Sequence, residues 1–141
     1  MKKYVILFII VIIVVTSIAY LYLNYVSGAN NVKASNKEYT NLYNTTITGS
    51  TLASNINKII DKNTKNNVEK DKNGYFLDNG TNSIIGEIKF KDSENTFKIE
   101  QIYNNDISKF INLYSNLNFK CTNIKYHSKT NLVSYMYFEE V

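Results

Sequence analysis

Residues 5–15 read VILFIIVIIVV, a run with no polar side chain, and after Thr16 and Ser17 the apolar character resumes in IAYLYL. About 20 largely apolar residues at about 1.5 Å each make a helix of about 30 Å, the thickness of a bilayer's hydrocarbon core. A lone segment in lipid can satisfy its own backbone polar groups only as a helix. The stretch therefore predicts a protein with one membrane span and a polar remainder. We divide the chain into a transmembrane anchor (residues 1–26), a linker or helical stalk (27–47) and an extracytoplasmic domain (48–141).

A secretory signal has an apolar region of about 7 to 15 residues before a small-residue cleavage site. Ser27-Gly28-Ala29 has the composition of such a site, but the apolar run is longer than a signal needs. Tyr20, Tyr22 and Tyr25 have the spacing of an interfacial aromatic belt at its far end. No Cys follows the run to make a lipoprotein. The reading is an uncleaved anchor at the cell membrane. Lys2 and Lys3, with the α-amine beside them, predict a cytoplasmic N-terminus and a domain outside. Lys33 and Lys37 lie on the other side, several uncharged residues past the apolar run or next to Glu38.

The chain has 141 residues, so the part beyond the anchor suffices for one small domain. The formal charge is +4 and every basic residue is Lys, thinly spread. Arg is the side chain suited to bidentate reading of phosphates and bases, so nucleic-acid binding is not expected. A lone cysteine, Cys121, excludes an intramolecular disulfide and leaves the core to stand on packing.

Beyond the anchor, Val32, Tyr39 and Leu42 fall at near-helical spacing, while the Asn and Ser content around them also suits a flexible linker. Leu52, Ile56, Ile59 and Ile60 mark one face of a helix over residues 50–63, with Thr48 or Ser50 as its cap. From Val68 the period switches to two. Residues 68–70 and 75–77 read as short strands around Asn73-Gly74, a hairpin signal. Residues 84–90 read as a half-buried strand, with Phe97, Ile99, Gln101 and Tyr103 as its returning partner. Asp106 caps a second helix whose Ile107, Phe110, Ile111, Tyr114 and Leu117 repeat at helical spacing. Phe110 and Ile111, in mid-stripe, put that helix at the centre of the core. Residues 119–126 and 132–140 close the chain as a hairpin; on its last strand Val133, Tyr135 and Tyr137 share one face. Helices separated from antiparallel strands predict an α+β fold, a two-layer domain of an antiparallel sheet and two helices.

No motif in this sequence carries chemistry. Cys121 and His127 are the only residues of their types. They are six positions apart, about 20 Å along an extended strand, and read as a core cysteine and a turn histidine. One Cys and one His cannot furnish a structural zinc site. Glu139 and Glu140, adjacent in a strand, point to opposite faces. With five Gly in the chain there is no phosphate loop or nucleophile elbow. No catalytic, cofactor-binding or metal residue is nominated, and no cofactor is expected.

The runs Gly49-Ser50-Thr51-Leu52 with residues 56–63 (INKIIDKN), and Phe119-Lys120-Cys121-Thr122 with Tyr126-His127 and Lys129-Thr130, resemble small uncharacterised single-span proteins of low-GC Gram-positive bacteria. The resemblance covers most of the chain after the linker and implies kinship without an activity. In architecture the chain also resembles type IV pilin-like proteins. It departs from them in lacking a Gly cleavage site before the apolar run and a Glu within it.

The expectation is a membrane-anchored envelope protein with a small non-catalytic domain that meets a protein partner. The alternatives are a subunit of a pilin-like or secretion assembly, and a ligand-binding or enzymatic domain with an unrecognised pocket. A shallow, carboxylate-free largest pocket would favour the first. A deep cleft joining His127 to two acids would favour the enzyme.

Overall fold

The structure is a computed structural model that describes residues 2–141. It resolves into two compact units, one ending at Ser35 and one running from Asn36 to Val141.

The first unit lies within helix α1, Lys2–Thr40. Among the described residues α1 is the one helix long and apolar enough to cross a membrane. Its Val, Ile, Leu and Phe side chains are exposed along the whole apolar run, so no protein core covers them. The two polar side chains inside the run are internally satisfied. Thr16 donates to the Ile12 carbonyl at 2.9 Å and Ser17 to the Ile13 carbonyl at 2.7 Å, as a lipid environment requires.

The second unit begins with the last residues of α1. Tyr39 is buried there, and its phenol pKa is pushed up to about 12 by loss of water and by neighbouring Glu38. The Asn36 amide donates to the Asn131 carbonyl at 2.7 Å and accepts from Val133 N–H at 2.9 Å. Glu38 pairs with Lys58. Then follow β1 (Thr46–Thr48), α2 (Gly49–Lys65), β2 (Ile85–Lys89), β3 (Thr96–Lys98), α3 (Ile99–Asn104), α4 (Ile107–Tyr114), β4 (Asn118–Tyr126) and β5 (Val133–Glu140). The fold is α+β. The five strands form one sheet in the order β1-β4-β5-β2-β3, antiparallel except for the parallel pair β2–β5. That parallel pair departs from the all-antiparallel expectation: the terminal β4–β5 hairpin inserts between β1 and β2, so β5 meets β2 running the same way.

Helix α2 starts where Thr48 caps it, its hydroxyl accepting from Thr51 N–H at 3.3 Å. Leu52, Ala53, Ile56, Ile59 and Ile60 form a buried stripe. They share one core with Ile88, Ile99, Phe119, Cys121, Val133, Met136 and Phe138. The centre of the core is thus α2 and not the helix after Asp106. Of α4's stripe Phe110 is buried and Ile107 and Tyr114 are partly so, whereas Ile111 is exposed.

Two predicted strand regions are corrected. After Phe97 the chain coils into α3, because Ile99 and Ile102 at i and i+3 are both buried while Tyr103 faces out. The period-2 reading of Phe97, Ile99, Gln101 and Tyr103 fitted the same residues to the wrong repeat. Residues 68–77 contain the Asn-Gly turn, with Gly74 at φ +82°, but only one bridge, Lys70 to Phe76. There Asp71 takes over the ordering: its carboxylate accepts from Asn73 and Tyr75 N–H at 2.8 and 2.9 Å. On β5, Val133 does not share a face with Tyr135 and Tyr137. The register shifts where Lys125 pairs with Tyr135 and Tyr126 with Val133, and this bulge turns Val133 into the core.

The approaches of helix to sheet are close. A Cβ at Gly86 of β2 would lie 2.7 Å from the Ile99 side chain, and one at Gly49 would lie 1.9 Å from the Tyr114 carbonyl oxygen. The second obstacle is backbone, so only glycine lets the start of α2 pass the end of α4.

Candidate functional site

An open groove of the second unit, between α4 and the β2–β3 turn, has a volume of about 530 Å³. Its apolar lining comes from α4 and the chain after β2. Phe90 is in contact with four rings: Phe97 at 5.5 Å between centroids, Phe110 at 6.3 Å, Tyr114 at 5.0 Å and Phe119 at 5.9 Å. The cluster gives the groove an aromatic floor. On the outer side of α4, Leu113 is 72% exposed, and Ile111 and Leu117 are exposed beside it. A short helix that buries one ring and displays two aliphatic side chains to water, with a third just past its end, is unusual for a solvated face.

The rim is charged. Asp92, Asp106 and Glu140 line the groove together with one cation, Lys109. The Asp106 carboxylate caps α4, accepting from Ser108 N–H at 2.9 Å, and Glu140 accepts from Lys91 N–H at 3.1 Å. None of the three acids takes part in an ion pair among the described residues. The groove is therefore shallow but not carboxylate-free, and its acids lie at the edge, with no imidazole among the lining residues.

Cys121 and His127 occupy different surroundings. Cys121 is fully buried, its thiol points at the Asn123 carbonyl at 3.7 Å, and burial pushes its pKa up to about 11. His127 opens the turn between β4 and β5, in keeping with its reading as a turn histidine, and it is buried there. Its Nε2 is 2.8 Å from the Ser83 carbonyl oxygen, and its Nδ1 is 3.6 Å from Asp78 Oδ1. The Ser83 hydroxyl donates to the same Asp78 oxygen at 3.1 Å and accepts from Asn79 N–H at 3.0 Å. Asp78 is held below the usual carboxylate range chiefly by the Gly80 N–H, with help from Ser83 and His127 and against partial desolvation.

These three residue types suggest a nucleophile relay, but the bonding is wrong for one. The imidazole addresses the serine's carbonyl, while the hydroxyl donates to Asp78 and makes no bond to the imidazole. The cluster instead ties residues 78–83 to the β4–β5 turn, reinforced by Thr130, whose hydroxyl donates to the Thr81 carbonyl at 2.6 Å. His127 does not line the groove.

Glu100 is the one buried acid among the described residues. One of its oxygens accepts from Phe76 N–H at 3.1 Å, and the other has no hydrogen-bond partner among the described residues. Among those residues no group of three or more His, Cys, Asp or Glu side chains could hold a metal ion.

Sequence reasoning missed the groove. Its one local signal was Leu113, an aliphatic residue outside the stripe that Ile107, Phe110 and Tyr114 define. Compared with known protein families, with curated proteins and with solved structures, the chain finds no match.

Proposed function

We propose that this chain is a membrane-anchored interaction protein whose folded unit, from Asn36 onward, docks another protein through the groove beside α4. The anchor reading rests on the exposed apolar run of α1. The observation that carries the docking reading is Leu113, 72% exposed on the wall of an aromatic-floored groove. An apolar wall of this kind is stabilised by being covered, and aromatic floors with aliphatic rims are the composition of interface cores. The domain lies on the outer side of the membrane in this reading, with the N-terminus in the cytoplasm, in keeping with Lys2 and Lys3 beside the run.

The test is a photoreactive amino acid placed at Leu113 of the full chain in living cells, with Lys129 on the β4–β5 turn as the control position. A discrete adduct to one other protein, formed at Leu113 and absent at Lys129, is the expected outcome. No adduct at Leu113, or the same adduct at both positions, overturns the docking reading.

A further inference from the structure

The groove's charge identifies the chemistry of what covers it. The chain as a whole carries +4, yet the groove is lined by three carboxylates and a single ammonium. Asp92 makes no hydrogen bond or ion pair among the described residues, and Asp106 and Glu140 are engaged there only by N–H groups of the main chain. Their charge is therefore left for an outside group. Lys109, the one cation, also pairs with none of them.

We propose that the groove binds a cationic amphipathic segment of a protein partner. Aliphatic or aromatic anchors of that segment pack on Phe90, Phe97, Phe110 and Leu113, and its Lys or Arg side chains lie over Asp92, Asp106 and Glu140. The proposal rests on the reading of the groove as a docking face and adds the identity of the occupant. The volume, about 530 Å³, is that of a site for a few anchoring side chains. Two other occupants are disfavoured by the same charges. A second copy meeting groove to groove would bring like carboxylates together across a two-fold axis. An anionic lipid surface would be repelled by the acidic rim.

The experiment uses the full chain in phosphatidylcholine nanodiscs at low ionic strength. The probe is a fluorescent helical peptide of Leu and Lys, with Leu at i, i+3, i+4 and i+7, and its comparison is the same peptide with Glu for Lys. Empty nanodiscs give the baseline. The Lys peptide is expected to bind at least about tenfold more tightly than the Glu peptide, since complementary rim charges set both encounter and discrimination. Asp92→Asn with Glu140→Gln should weaken the Lys peptide by about threefold to tenfold, the range of partly exposed charge pairs. Leu113→Lys should abolish binding.

The control is Glu69→Gln with Glu139→Gln, an equal change of net charge away from the groove, expected to stay within about twofold. Failure of the Lys peptide to bind, equal binding of the Glu peptide, or equal weakening by the control pair overturns the proposal. So does concentration-dependent dimerisation that Leu113→Lys dissolves, because the occupant is then a second copy. In each of these cases a single adduct from the photoreactive group at Leu113 leaves the docking reading standing. Loss of that adduct as well removes both.

Discussion

The amide of Asn63 shows how a single side chain sets the course of this chain. It is fully buried near the end of α2, donating to the Ile84 carbonyl at 2.7 Å and accepting from Ile84 N–H at 2.8 Å. Both main-chain groups of the residue that leads into β2 are thereby satisfied at a buried position. Asn63→Ala leaves both unpaired and should cost about 2 to 5 kcal/mol in denaturant titration of the full chain in micelles. A loss below about 1 kcal/mol would show that neither bond matters. Cys121 is a second such site. Cys121→Ala should cost on the order of 1 kcal/mol or less, because the deleted volume is one sulfur atom. Its thiol pKa is raised by burial from 9.0 to about 11. The stability it contributes is therefore complete below about pH 9 and is lost as pH rises towards 11, a decline that the alanine variant should lack. Thiol reagents should label native Cys121 slowly at pH 8, and rapid labelling would contradict the burial.

At the scale of elements, α4 divides sharply between its two sides. Phe110→Ala removes a ring from the aromatic cluster and should cost about 3 to 5 kcal/mol. Leu113→Lys, on the exposed wall, should change stability by no more than about 0.5 kcal/mol. Thermal melts of the two variants check the division, and equal losses would mean that Leu113 is packed. The long periodic elements α2, α4, β4 and β5 were legible because their apolar repeats run over two turns or more, or over eight alternating positions. Residues 97–103 were not, because Ile99 at i+2 from Phe97 and i−3 from Ile102 satisfies both periods, and only burial of Ile102 decides between them. The burial of Asn63, the last residue of the helix as read from the sequence, was not legible, since local pattern cannot show that an amide will meet a strand 21 residues later. The groove escaped for a related reason. Its walls join residues around 90, 106–117 and 140, and no local signal links segments so far apart.

For the whole molecule, the proposed orientation, with the N-terminus in the cytoplasm and the folded unit outside, can be checked directly. Protease treatment of intact cells carrying a C-terminal epitope tag should remove the tag, placing the unit outside. A tag protected until the membrane is permeabilised would reverse the orientation. The docking claim itself is tested most directly by the size of the assembly that the chain forms at native expression levels. In mild detergent the wild-type protein should migrate with a partner, well above its own 16.3 kDa. Leu113→Lys should leave the membrane fraction and the amount of protein unchanged while releasing the chain from that partner. Identical migration of the two proteins would contradict the account.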